Sequence, residues 1–157
     1  MATQYPLFFK IDETFVCNDG KVARVLCGGR AVLWDEDDCF WFYGVQPGSV
    51  SGGAEQVGAA FQEFKRQYRT IMFDLASETA TVGEFQAQAL QFFNDVCVAT
   101  EAEWTEARDR VRAHGETLGP LKRIERDEDW PIGIQFITGE VNASLNPREA
   151  DHYAAAA

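Results

Sequence analysis

The sequence predicts an α+β protein with a small antiparallel sheet covered by a long amphipathic helix. Three observations support this: strand-like segments and a hairpin come first, the long helix follows, and two more helices and a late short strand close the order. Strands that precede helices along the chain are typical of α+β proteins. With 157 residues, of which 46% are hydrophobic, the chain is long enough to bury a core.

The long helix is predicted over residues 54–76, AEQVGAAFQEFKRQYRTIMFDLA. Its large apolar residues recur at helical spacing and therefore share one face, which we expect to lie on the sheet. They are Val57, Phe61, Phe64, Tyr68, Ile71 and Leu75. Lys65, Arg66 and Arg69 lie on the other face near Glu63, so we expect pairing between neighbouring turns rather than a basic binding site.

Aromatic and β-branched residues predict strands on the N-terminal side of this helix. The segments are 5–17 with a short break near Asp12-Glu13, 21–34 with a bend or bulge at Gly28-Gly29, 39–45, and a very short strand near Val50. The strand at 39–45 is aromatic on both faces, which suggests cover on both sides or contact with a partner.

Turn residues separate the predicted strands. Asn18-Asp19-Gly20 supplies the positive φ angles of a tight turn, and the acidic turn, Asp35–Asp38, joins the two strands of a hairpin. Gly52-Gly53 is expected to turn the chain sharply into the long helix, with an anion-binding nest of backbone amides as the alternative.

The later elements are predicted from capping signals and periodicity. Thr81 with Glu84 and Thr100 with Glu103 are capping boxes that begin a second and a third helix. His114 falls in the last turn of the third helix, where a partly charged imidazole suits the helix dipole. A late strand is predicted at 131–138.

We divide the chain into a β-β-β-α domain with an extra N-terminal hairpin at 1–78, a helical extension with the late strand at 79–145, and a disordered tail at 146–157. Four cysteines lack the C-x-x-C spacing of zinc or redox motifs, so we expect buried free thiols in a reducing compartment. No signal-peptide pattern opens the chain, and no apolar run approaches the ~18 residues that span a bilayer. We therefore expect a soluble cytoplasmic protein without a cofactor.

One part of the chain is similar to a known family. The matching segments are RAVLWDEDDCFWFYGV, QPGSVSGGAEQ and VGAAFQEFKRQYRTIMFDLA, from about Arg30 to Ala76. This order resembles the N-terminal domain of HicB-type antitoxins, a partial ribonuclease-H-like β-β-β-α unit, and the chain looks like a diverged member. Of the family's F-P-D-L-P-G-C-like motif, the segment YGVQPGSV keeps only Pro-Gly.

The resemblance implies a non-catalytic protein-binding module that neutralises a small basic toxin ribonuclease. The net charge of −11 agrees with a basic protein partner and opposes direct nucleic-acid contact, which depends on Lys and Arg. Exposed sheet edges also predict a homodimer. The C-terminal arginines Arg108, Arg110 and Arg112 lie among carboxylates, so they form no basic face for DNA.

Two alternatives stay open. Asp35, Asp37 and Asp38 are weak candidate metal ligands, and with Glu63 or Asp74 they allow the hypothesis of a magnesium-dependent nuclease. Consecutive turn residues point in different directions, however, so an exposed hairpin turn is the simpler interpretation. A self-associating scaffold without a toxin partner is the other alternative. The sequence offers no catalytic pair of Ser or Cys with His.

Overall fold

A computed structural model describes residues 3–114 and 134–140 of the chain. The elements in order are β1 (Thr3–Val16), β2 (Lys21–Glu36), β3 (Cys39–Gln46), β4 (Ser51–Ala54), α1 (Val57–Glu78), α2 (Val82–Asn94), α3 (Val98–His114) and β5 (Ile134–Glu140). The predicted α+β class is confirmed. Three predictions lie outside the described residues: the tail at 146–157, Gly115 as the residue that ends the third helix, and the start of the late strand at 131–133.

The sheet is antiparallel and is built around the long strand β2. Its strand order is β1-β2-β3-β4, and β5 also pairs with β2. Because β1 occupies one edge of β2 along its length, β3 and β5 share the other edge. There β3 pairs with residues 30–36 and β5 with residues 21–27. The late strand therefore continues the sheet beyond the end of β3.

Helices cover both faces of this sheet. On one face, α1 and α2 pack over the alternating apolar residues of β1, such as Phe9 and Phe15. On the other face, α3 packs through Trp104 against Val32 and Val45. The described chain is thus a three-layer arrangement, whereas the sequence predicted only the layer formed by the long helix.

The apolar face of α1 is confirmed as core, but its centre is shifted. The buried residues are Ala60, Phe64, Tyr68, Met72 and Ala76, one on each turn. Phe61 and Ile71 are only partly buried and flank this line. The small side chains of Ala60 and Ala76 allow the helix ends to approach the sheet closely. The predicted face contained only large apolar residues and therefore omitted these two positions.

Two predicted interruptions of the strands are wrong. β1 continues through Asp12 and Glu13, because Asp12 forms an ion pair at 2.5 Å with Arg24 on β2 and Glu13 forms one with Arg69 on α1. β2 also continues through Gly28-Gly29, and its register shift against β3 lies between Arg30 and Ala31.

Gly29 has a packing role in β2. A Cβ atom added there would lie 2.2 Å from the ring of Phe9, its partner across the sheet. The absent side chain leaves the space in which the ring of Phe9 lies.

The boundaries of the later helices follow the capping signals in part. Thr81 caps α2, since its Oγ1 accepts from the backbone N–H of Glu84 at 3.2 Å. The Glu84 carboxylate reaches back to the N–H of Ala80 at 2.9 Å, so this capping box is confirmed with a shift of one residue. The second predicted capping box is wrong, because α3 begins at Val98 and Thr100 lies inside it. His114 lies in the last turn of α3 as predicted, and it is exposed.

The first turn of the chain joins elements that are distant in sequence. Asn18 donates from its amide to the carbonyl oxygens of Ser77 and Thr79, at 3.0 and 2.8 Å, where α1 ends. Asp19 accepts from the N–H of Val82 at 2.9 Å, where α2 begins. Satisfying the free backbone groups of helix ends stabilises them. The β1–β2 turn therefore clamps the corner between α1 and α2.

Candidate binding surface

The acidic turn is the tip of the β2–β3 hairpin. Asp35 and Glu36 end β2, while Asp37 and Asp38 form the turn with φ angles of 44° and 67°. Positive φ at both central residues is the geometry that matches the twist of a two-residue hairpin, and Asp tolerates it. Within residues 3–114, these four carboxylates form no ion pair. The tip is therefore a concentration of unneutralised negative charge.

The structure does not join the candidate metal ligands into one site. In the part of the chain that the structure describes, no three His, Cys, Asp or Glu side chains are arranged to hold a metal ion. Glu63 instead accepts hydrogen bonds from Arg66 and Gln67 on its own helix. Asp74 is exposed on α1. Among residues 3–114 and 134–140, no contact brings these carboxylates together as the nuclease hypothesis requires.

Next to the acidic turn lies an aromatic patch, formed by Trp34, Trp41 and Tyr43. Trp41 and Tyr43 are 39% and 36% exposed, whereas Phe42 between them is buried against α1. The rings of Trp41 and Tyr43 stack with centroids 6.3 Å apart, and Trp34 meets Tyr43 edge-on at 5.9 Å. The predicted aromatic strand is thus covered on one face by α1 and is partly open on the other.

Trp34 contributes the one buried side-chain polar atom without a hydrogen-bond partner among residues 3–114, its indole N–H. An unpaired buried donor costs about 1–3 kcal/mol.

The glycines before α1 permit close packing of β4. They lie within this strand, and α1 begins later, at Val57. A Cβ atom on Gly52 would lie 2.4 Å from the backbone nitrogen of Phe64, and one on Gly53 would lie 2.3 Å from the ring of Trp41. The prediction that they turn the chain into the helix is wrong, as is the amide nest at the helix start. Because Gly53 has no side chain, the ring of Trp41 can pack directly on the backbone of β4.

A second aromatic arrangement lies on the same sheet face, under α3. The guanidinium groups of Arg30 and Arg108 lie over the ring of Trp104. Their central carbons are 5.2 and 5.5 Å from the ring centroid. The indole N–H of Trp104 donates to the carbonyl of Leu7 at 3.2 Å. Arg30 also pairs with Glu101 at 3.0 Å. No local pattern in the sequence predicts this arrangement, because Arg30 and Trp104 belong to elements that are distant along the chain.

The cations on α1 are engaged within the chain. Arg66 pairs with Glu63 at 2.7 Å, three residues earlier, and Arg69 pairs with Glu13 on β1 at 2.5 Å. Lys65 lies 5.0 Å from the ring centroid of Phe61. The predicted pairing between neighbouring turns of the helix is confirmed for Arg66 and is wrong for Arg69, whose partner Glu13 is on the sheet.

All four cysteines are free as predicted, but only Cys17 and Cys27 are buried, whereas Cys39 and Cys97 are half-buried. Burial raises the pKa of Cys27 to about 12, so its thiol stays neutral. Cys97, which directly precedes α3, has a lowered pKa because the hydroxyl of Thr100 donates to its sulfur at 3.1 Å and the backbone N–H of Thr100 also donates. Cys97 therefore has more thiolate character than Cys27.

Comparison with known proteins gives no assignment: no family model, no curated protein and no solved structure matches the chain. Among the described residues, no helix is both long and apolar enough to cross a membrane. The resemblance to HicB-type antitoxins and the division into domains therefore stay predictions.

Proposed function

We propose that this protein is a non-catalytic, antitoxin-like binding module that neutralises a small basic partner, a toxin ribonuclease, through its acidic surface and sheet edge. The observation that carries the proposal is the acidic turn beside the exposed aromatic patch. Aromatic side chains are enriched at protein interfaces, and surrounding charges of one sign select a partner of the opposite sign. This surface has both properties.

The charge of the whole chain supports the same proposal. A net charge of −11 attracts a basic protein at long range and raises the rate of encounter. β1 and β4 lie at the two ends of the strand order, so among the described strands each has one side on which no strand pairs and to which a partner strand can add. The β2-β3-β4-α1 order also has the succession of elements expected of the HicB-like unit.

The test is co-expression with the product of the adjacent small reading frame, followed by a growth-rescue assay and a pull-down. We expect the small basic protein to arrest growth alone, to be neutralised by this chain, and to be captured with it at low salt. The absence of a small basic neighbour, or the absence of both rescue and capture, would contradict the proposal.

The surface near the end of β1 favours a second candidate, a self-associating scaffold. Val16 and Phe73 are 66% and 56% exposed, and the ring of Phe73 packs edge-on against Phe15 at 5.3 Å. Exposed apolar side chains beside an edge strand favour pairing with a second copy. Sedimentation velocity tests this: Val16→Lys with Phe73→Lys should convert a dimer into a monomer, and a wild-type chain that is monomeric at high concentration would exclude the scaffold.

A further inference from the structure

The Trp104 arrangement shows how this sheet face accommodates a guanidinium group. The guanidinium of Arg30 lies over the indole ring, and its charge is matched by the carboxylate of Glu101 at 3.0 Å. Arginine suits such a position because its group is planar, permanently charged and more weakly hydrated than an ammonium. The arrangement has three components: an aromatic ring, a carboxylate and an arginine.

The aromatic patch lies on the same face and has two of these three components. Trp34 and Trp41 are opposite each other in the β2–β3 register, and Glu36 and Cys39 form the next pair on that side of the hairpin. Asp37 and Asp38 follow directly at the tip. Over residues 3–114, no cationic side chain lies on the rings of Trp41 or Tyr43. The missing component is an arginine.

We propose that the aromatic patch and the acidic turn together bind an arginine-bearing segment of a basic partner protein. A guanidinium of that segment stacks on Trp41 and Tyr43, and neighbouring arginines pair with the carboxylates at 36–38. This assigns a binding site within the proposed function and rests on it.

Charge decides between the possible occupants of the patch. A second copy of this chain carries the same net charge of −11, and RNA carries phosphates, so the acidic turn repels both. A lysine-bearing segment satisfies the carboxylates, but its compact, strongly hydrated ammonium makes less use of the ring faces. An arginine-bearing segment can both stack on the aromatic patch and pair with the carboxylates of the acidic turn.

The test measures binding of two fluorescent probes, an amidated hexa-arginine peptide and an amidated hexa-lysine peptide of equal charge, by anisotropy with the full chain. The first variant is Asp37→Asn with Asp38→Asn, because Asn keeps the positive φ angles of the turn. Its control, Asp74→Asn with Glu106→Gln, removes the same charge from exposed positions on α1 and α3. The second variant is Trp41→Leu, with folding checked by circular dichroism.

We expect the turn variant to weaken hexa-arginine binding at least about threefold more than its control, as for exposed charge pairs. Trp41→Leu should weaken hexa-arginine binding about three- to fivefold and hexa-lysine binding less, because it removes the ring on which a guanidinium group stacks. Equal losses in the turn variant and the control would overturn the proposal, since binding would then be diffuse. Equal effects of Trp41→Leu on both peptides would also overturn it.

Three further outcomes overturn the site, two of them in favour of other occupants. Tight binding of oligouridylate that Trp41→Leu abolishes would indicate RNA, and a dimer that Trp41→Leu dissociates would indicate a second copy. No binding of hexa-arginine to the wild-type chain would contradict the proposed site directly.

The growth-rescue assay separates the site from the function on which it rests. If the turn variant loses the peptide but still neutralises the basic partner, the proposed function stands and the site is wrong. If the wild-type chain binds hexa-arginine at the patch but never rescues growth, the site stands and the antitoxin-like function fails.

Discussion

Gly52 and Gly58 provide a pair of identical substitutions with opposite expected effects. Gly52 lies on β4 beneath α1, and a Cβ there would lie 2.4 Å from the nitrogen and 2.7 Å from the Cα of Phe64. These are backbone atoms, so they cannot turn aside as the end of a flexible side chain can. Gly58 lies in the first turn of α1, and a Cβ there would have nothing within 4 Å.

The magnitudes follow from these two environments. Gly52→Ala forces β4 and α1 apart, and such overpacking lowers the free energy of unfolding by about 1–3 kcal/mol. Gly58→Ala adds a good helix former at an open position and should raise the free energy of unfolding by about 0.5–1 kcal/mol. The two variants should therefore differ by about 1.5–4 kcal/mol, although each adds one methyl group.

Urea unfolding followed by circular dichroism measures this difference. With a slope of about 2 kcal/mol per molar urea, the midpoint should fall by about 0.5–1.5 M for Gly52→Ala and rise by about 0.3–0.5 M for Gly58→Ala. Parallel measurement by tryptophan fluorescence checks that unfolding is two-state. A rise in the midpoint for both variants would refute the close approach of β4 to α1.

Three further predictions concern the core, the clamp and the thiols. Phe64→Ala should lower the free energy of unfolding by about 3–5 kcal/mol in urea denaturation because the ring is fully buried, whereas Phe73→Ala, at a ring that is 56% exposed, should cost far less; equal costs would contradict the packing. The hydrogen bond from the N–H of Val82 lowers the pKa of Asp19, so the ionised carboxylate stabilises the fold above about pH 4 and this stabilisation is lost as pH falls through the lowered pKa. The difference in thermal midpoint between the wild type and Asp19→Asn should therefore shrink on acidification, and a difference that does not change with pH would argue against the clamp. Iodoacetamide followed by mass spectrometry should modify Cys97 before Cys27 near neutral pH, and the reverse order would contradict the environments described for these thiols.

Local signals predicted much of the fold. Gly20 at φ 78° and the pair Asp37-Asp38 occupy turns as their residue types require. Thr81 caps α2, and the periodic apolar residues of α1 lie on the sheet. Each of these depends on residues within a turn or two of one another, which is the range over which a sequence pattern has direct physical meaning.

Features that depend on distant residues were not predictable in this way. The carboxylates of Asp12 and Glu13 suggested a break in β1, but Arg24 and Arg69 neutralise them from other elements. Nor does any local pattern show that α3 crosses the opposite sheet face.

For the candidate surface, the run from Phe40 to Tyr43 predicted aromatic residues on both sides of a strand. How much of that strand α3 leaves open depends on tertiary packing. The exposure of Trp41 and Tyr43 therefore follows from the structure alone.

The clamp formed by Asn18 and Asp19 links the start of the chain to its middle. These two side chains bind backbone groups near residues 77–82, which lie about sixty positions further along. The corner between α1 and α2 is therefore complete only after the first hairpin has closed. We expect this turn and corner to open together in native-state hydrogen exchange, as a single cooperative unit. Because closing such a long loop costs conformational entropy, the unit should also form late during folding.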